Sequence, residues 1–161
     1  MNHTTKAGLL IGVLCGIWVF VMGFSGWYKD PVMLYAFWLV ILIQLGVLIW
    51  GLKAVATTGA SYGKLVGSGT MMSVIGGLIL FFTSLLFTTV VFPHYFEELR
   101  TIQEQMLKES GKSEQEIMQE MQAAATMSTS FINAISGFIG TVVTGLTASL
   151  IIGAIVRKKS A

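Results

Sequence analysis

Four stretches without one charged side chain dominate the sequence: Ala7 to Tyr28, Pro31 to Leu52, Leu65 to Phe96, and Met121 to Val156, whose apolar part begins near Phe131. The hydrocarbon core of a bilayer is about 30 Å thick and takes roughly 20 helical residues to cross. In lipid the helix satisfies its own backbone hydrogen bonds, and each stretch is long enough. The chain is therefore expected to be all-α, a polytopic membrane protein with four transmembrane helices at about 7–28, 32–52, 65–92 and 128–156. Buried helices of a water-soluble protein are the alternative. Charged residues make up only 11% of the chain, against about a quarter in soluble domains, so too little polar surface is left for that reading.

A length of 161 residues fits a single domain, 1–161. The first run has the short basic start of a secretory leader and a Gly23-Phe24-Ser25 segment before Gly26. Its apolar part is too long for a leader, so an uncleaved first helix is expected. Cys15 is the one cysteine, which excludes an intramolecular disulfide and a cysteine-based zinc cluster. The connection Trp27-Tyr28-Lys29-Asp30-Pro31 reads as a tight hairpin, with its aromatics at the headgroup level and Pro31 in the first turn of the second helix. Trp50 and Tyr62 are expected in the opposite aromatic belt.

Charge fixes the orientation. Alternating the loops over four crossings places Lys6, Lys53, Lys64, Arg157, Lys158 and Lys159 on one side, six basic residues with no acid. The other side carries Lys29, Arg100, Lys108 and Lys112 with all eight acids. Lys and Arg excess marks the cytoplasmic side, so both termini are expected in the cytoplasm of a bacterial inner membrane. Seven of the eight acids lie within FEELRTIQEQMLKESGKSEQEIMQEM, Phe96 to Met121. Here Tyr95, Leu99, Ile102 and Met106 recur at helical spacing, as do Ile117, Met121, Ala124 and Ser128. Gly111 is a helix stop, and Ser113 with Glu116 fits a capping box. Glu97/Arg100, Glu104/Lys108 and Lys112/Glu116 stand at pairing distance. The segment predicts an acidic helical hairpin outside the membrane at about 94–126, either a plain solvated surface or, through Glu97, Glu98, Glu104, Glu109, Glu114, Glu116 and Glu120, a docking surface for another protein. His94, Glu97 and Glu98 lack a second set of ligands elsewhere, so no metal is expected. No cofactor is expected either. A net charge of +2 gives no reason to expect nucleic acid as a partner.

Small residues recur every four positions in three of the helices: Gly8, Gly12 and Gly16; Gly69, Ser73 and Gly77; and Asn133, Gly137, Thr141, Gly145, Ser149 and Gly153. Such faces let helix backbones approach closely in lipid, where little hydrophobic force acts between helices. They are expected to pack within the bundle or against a second subunit, in a homo- or hetero-oligomer. A step of four drifts about 40° around a helix of 3.6 residues per turn, so the long fourth-helix stripe must wrap across two neighbours or a right-handed crossing.

No Asp, Glu, Lys, Arg or His falls in any membrane core, which argues against proton-driven transport. Gln44 and Asn133 are the candidate polar contacts within the membrane. Gly59-Ala60-Ser61-Tyr62-Gly63-Lys64-Leu65 is no phosphate loop, having too few residues between its glycines and Leu65 where a magnesium-binding hydroxyl belongs.

Gly63-Lys64 leading into the third helix, the Phe92-Pro93 exit, the Gly111-Lys112-Ser113-Glu114-Gln115-Glu116 turn and the closing fourth helix together resemble domain-of-unknown-function family 4199 of bacterial membrane proteins. The resemblance spans nearly the whole chain. It implies a four-helix inner-membrane protein with its polar segment before the last helix, and it supplies no functional residues. The reading is a non-enzymatic membrane scaffold or accessory subunit. The alternative is a small oligomeric channel or transporter, with a pore between protomers and the acids at its mouth.

Overall fold

Each apolar run becomes a helix, and the residues at its ends decide where it starts and stops. The structure, a computed structural model, describes residues 2–157; Lys158 and Lys159 of the basic side lie outside the described residues. Helix α1, His3–Phe24, starts earlier than the charge-free run because the Asn2 side chain accepts from Thr5 N at 2.8 Å. It stops before Gly26, at φ +71°. After a tight turn at Trp27–Lys29, Asp30 Oδ1 accepts from Val32 N at 2.7 Å and Met33 N at 3.1 Å. Pro31 therefore precedes the second span instead of opening it. That span begins with narrow, three-residue turns at Met33–Trp38 and relaxes into α2, Leu39–Ala56.

Helix α3, Tyr62–Leu86, runs into a widened turn at Phe87–Val91, closed by Phe92 N donating to Phe87 O at 2.7 Å. Pro93 follows, and the residue before a proline avoids helical geometry. Helix α4, Tyr95–Glu109, and helix α5, Glu114–Met127, are joined through Gly111 at φ +75°. Ser113 and Glu116 form the predicted capping box, Glu116 Oε2 accepting from Ser113 N at 2.9 Å. Helix α6, Ser130–Val156, is capped by Thr129, whose hydroxyl oxygen accepts from Ile132 N at 3.2 Å. The fold is all-α, without strands among the described residues. Four helices, His3–Phe24, Met33–Ala56, Tyr62–Val91 and Ser130–Val156, are long and apolar enough to cross a membrane.

Helix α3 occupies the middle of the bundle. Helices α1 and α3 run parallel: a Cβ placed on Gly8 would lie 2.7 Å from Ile75 Cβ, one on Gly12 2.5 Å from Ile79 Cβ, and one on Gly16 3.3 Å from Thr83. Helices α3 and α6 run antiparallel and exchange small residues. A Cβ on Gly145 would fall onto Ser73, and one on Gly69 onto the Ser149 hydroxyl. Gly77 faces Phe138 at 2.9 Å, and Gly153 faces Leu65 and Tyr62 at 3.5 Å. Helix α2 closes on the far side, where Gly51 admits Ala7 and Met72. Ala7, Ile11, Leu48, Leu52, Leu65 and Met72 are fully enclosed and form the core of this half.

These contacts give a graded test of the packing. Gly145→Leu forces a branched side chain into Ser73, and overpacking of this kind costs about 1–3 kcal/mol. Gly67, on an exposed part of α3 where an added Cβ would meet nothing within 4 Å, is the control. Thermal unfolding in detergent should show Gly145→Leu melting well below the native chain and Gly67→Ala matching or exceeding it.

Candidate functional site

Beyond the closed half, α2 and α6 part. The gap is a crevice of about 520 Å³, bounded by the second half of α1, the last turns of α3, the first half of the second span, the first half of α6, and Tyr95. Gln44 stands at its inner end. This side chain is buried, and its Nε2 donates to Thr141 O at 2.7 Å and Ser73 Oγ at 3.3 Å, so it joins α2 to α3 and α6 together. Cys15 Sγ faces Val40 O at 3.6 Å along the α1 wall. On the α6 wall, Asn133 Nδ2 donates to Ser84 Oγ at 3.0 Å. The remaining lining includes Val19, Phe37, Trp38, Ile41, Leu80 and Phe87, and no charged residue.

Where the crevice meets the α4 end, an aromatic group seals the bundle. The rings of Phe87 and Phe92 lie 4.7 Å apart, those of Tyr28 and Tyr95 5.0 Å, and those of Phe87 and Tyr95 5.3 Å. The widened turn at Phe87–Val91 puts Phe87 among them, buried, although Leu86 just before it faces outward. Tyr28, in the connection between the first two spans, is enclosed by the chain at 3% exposure. Its hydroxyl donates to Glu98 Oε2, and Lys29 Nζ donates to Glu98 Oε1 at 3.0 Å. One carboxylate thus ties α4 to the first connection. The Tyr28 hydrogen bond, then the Lys29 one, hold the Glu98 carboxyl below its ordinary 4.5. Burial, then the carboxylate, push the Tyr28 hydroxyl upward, and burial pushes Tyr95 up to about 12.

The other acids of the α4–α5 pair stay at the surface. Glu104 takes its predicted partner Lys108 at 2.5 Å. Two expected pairs are replaced: Glu97 meets His94 Nδ1 at 2.9 Å instead of Arg100, and Lys112 reaches across the turn to Glu120, leaving Glu116 to its cap. Arg100 Nε is sealed from solvent with no hydrogen-bond partner among the described residues. Glu109 accepts from Gln105 at 3.1 Å, and Glu114 lies exposed in the first turn of α5. Glu98 bonds Tyr28 and Lys29 instead of joining the His94–Glu97 pair. Ile117 is buried, and Leu99 and Ile102 half-buried, so the helical stripes read from the sequence face inward; Met106 is the exception, at 43% exposure.

Of the small residues singled out, Gly8, Gly12, Gly16, Gly69, Ser73, Gly77, Gly145, Ser149 and Gly153 lie in helix contacts inside this one chain, and Thr141 is buried and bonded to Gln44 through its carbonyl. Gly137 and Asn133 are exposed. The 40° drift per four-residue step accords with the split, turning Gly137 onto the crevice while Asn133 still reaches Ser84 of α3. Reasoning from the sequence named Gln44 and Asn133 but missed Tyr28, Phe87 and Tyr95. Nothing in a continuous apolar run marks which aromatic turns inward. At the opposite end, Tyr62 donates to Leu150 O at 3.1 Å, and the Arg157 guanidinium lies 5.8 Å from its ring centre.

The carboxylate tie sets a pH dependence. A depressed carboxyl contributes stability that is complete above its unfolded value of 4.5 and is lost as pH falls through the lower folded value. The native chain should therefore melt above Glu98→Gln at neutral pH, with the gap closing as pH drops below about 4.5. Thermal unfolding from pH 7 to 3 measures it; a gap that stays constant would disprove the tie.

Over residues 6–158 the chain matches the family described as protein of unknown function, DUF4199. No curated protein and no solved structure matches it.

Proposed function

The chain belongs to the DUF4199 family, and from that premise we propose that it is a non-enzymatic accessory subunit or scaffold of a bacterial cytoplasmic membrane. Both termini are cytoplasmic, and α4 and α5 project on the opposite side as an acidic hairpin offered to a partner protein with a basic surface. One observation carries this reading. Glu98 is bound by both Tyr28 and Lys29, which anchors the hairpin to the bundle at its base. Anchoring one glutamate in this way holds the remaining acids of α4 and α5 in a fixed array at the surface. The six basic residues of the first side, against four on the hairpin side, support the orientation.

The small-residue faces are largely occupied within the chain, so the hairpin is the better surface for a partner. The channel alternative draws less support. The crevice ends at Gln44, and beyond it Leu48, Leu52, Leu65 and Met72 are fully enclosed, so a pore would have to lie between protomers.

Two experiments test the reading. A cysteine introduced at exposed Glu114 should react with a membrane-impermeant maleimide on intact cells, while one at Thr57 should react only after permeabilisation; the reverse pattern overturns the orientation. Purification from native membranes in mild detergent should recover a partner in fixed stoichiometry. Glu104→Gln/Glu109→Gln/Glu114→Gln/Glu120→Gln should lose most of that partner at unchanged expression. A ring of this chain alone, with ion flux in liposomes, would replace the subunit reading by the channel.

A further inference from the structure

We infer that the crevice between α2 and α6 is a binding site for an uncharged amphiphile, a hydrocarbon body bearing a hydroxyl or amide N–H, entering sideways from the bilayer. Its volume of about 520 Å³ lies within the range of small-molecule sites. The wall is apolar except for a few hydroxyls, the Cys15 thiol and the amides of Gln44 and Asn133, and the two amide oxygens are acceptors that meet no donor among the described residues. Gln44 is only 4% exposed. A main-chain carbonyl only accepts, so the 2.7 Å contact with Thr141 O must be made by the amide nitrogen. Its Oε1 is thereby turned from that contact, and it accepts no hydrogen bond among the described residues. Asn133 repeats the arrangement at the outer end: Nδ2 is spent on Ser84 Oγ at 3.0 Å, and Oδ1 accepts nothing among the described residues.

An acceptor that faces hydrocarbon without a donor is destabilising, because water is not at hand there to meet it. A ligand donor meets it. Charge on the ligand is disfavoured, because no countercharge lines the crevice and an ion would shed its water without compensation. The way in is lateral: Trp38, Gly137 and Gly140 are exposed at the rim. A Cβ on Gly137 or Gly140 would meet nothing within 4 Å, so the rim has room for a chain to pass. The site draws only Tyr95 from the hairpin and stands whether or not the hairpin has a partner.

The probe is a long-chain primary alcohol with a diazirine near its tail, added to the full chain in phosphatidylcholine vesicles and mapped by crosslinked peptide. Labelling is expected on the peptides containing Trp38, Ile41 and Gly140. Unlabelled alcohol should compete roughly threefold to tenfold better than the alkane of equal length, as one hydrogen bond would give. Gln44→Met, which keeps volume and removes the acceptor, should erase that preference. Gly137→Phe should fill the crevice and abolish labelling. Equal competition by alcohol and alkane on the native chain, a measurement that needs no variant, would reduce the crevice to plain lipid contact and overturn the inference. So would labelling unaffected by Gly137→Phe.

Discussion

The bundle depends on the fit of two serines into two glycines between α3 and α6. Ser73 occupies the space at Gly145, and Ser149 the space at Gly69. In lipid no hydrophobic gain rewards the meeting of two apolar helices, so contact of this closeness is what holds them. Both hydroxyls are accommodated: Ser149 donates to Gly145 O at 2.6 Å within its own helix, and Ser73 accepts from Gln44. The polar atoms that permit the approach are thereby satisfied, and α3 can take α1 on its other side through Gly8, Gly12 and Gly76.

From that seam follows the difference between the two halves. Below Gln44, glycine-lined faces bring the spans together around an enclosed aliphatic core. Above it, α6 stays on α3 through Asn133 with Ser84 and Phe131 with Phe81, while the second span begins in narrow turns at Met33–Trp38, and it is the second span and α6 that separate. The aromatic group around Phe87 and Tyr95 stops the gap from running into the first connection, and Glu98 fastens α4 there.

The spans were legible because charge is absent over long enough stretches, and the α4–α5 turn because Gly111, Ser113 and Glu116 carry their own local geometry. Tertiary choices were less so. Lys112 had Glu116 at helical spacing but found Glu120, because Ser113 claims Glu116 for the cap. Glu97 and Arg100 stand three apart on one helix, yet His94 takes the carboxylate. Tyr28 read as an interfacial aromatic since its partner, Glu98, is 70 residues away in the chain. For the stripes, the four-residue period announced close packing, but a period cannot say whether the matching face belongs to the same molecule. That depended on Ser73 and Ser149 being in register with Gly145 and Gly69.

The parallel pairing of α1 with α3 has a consequence for biogenesis. Gly8 waits for Ile75 and Gly12 for Ile79, partners that emerge from the ribosome only after the second span and its following loop are made. Until then the glycine groove of α1 is open to lipid, held only along its α2 side by contacts such as Trp18 Nε1 to Ala36 O. The half-made protein is consequently a two-span intermediate with an unfilled slot, and insertion of the third span completes both the groove and the seat for the last.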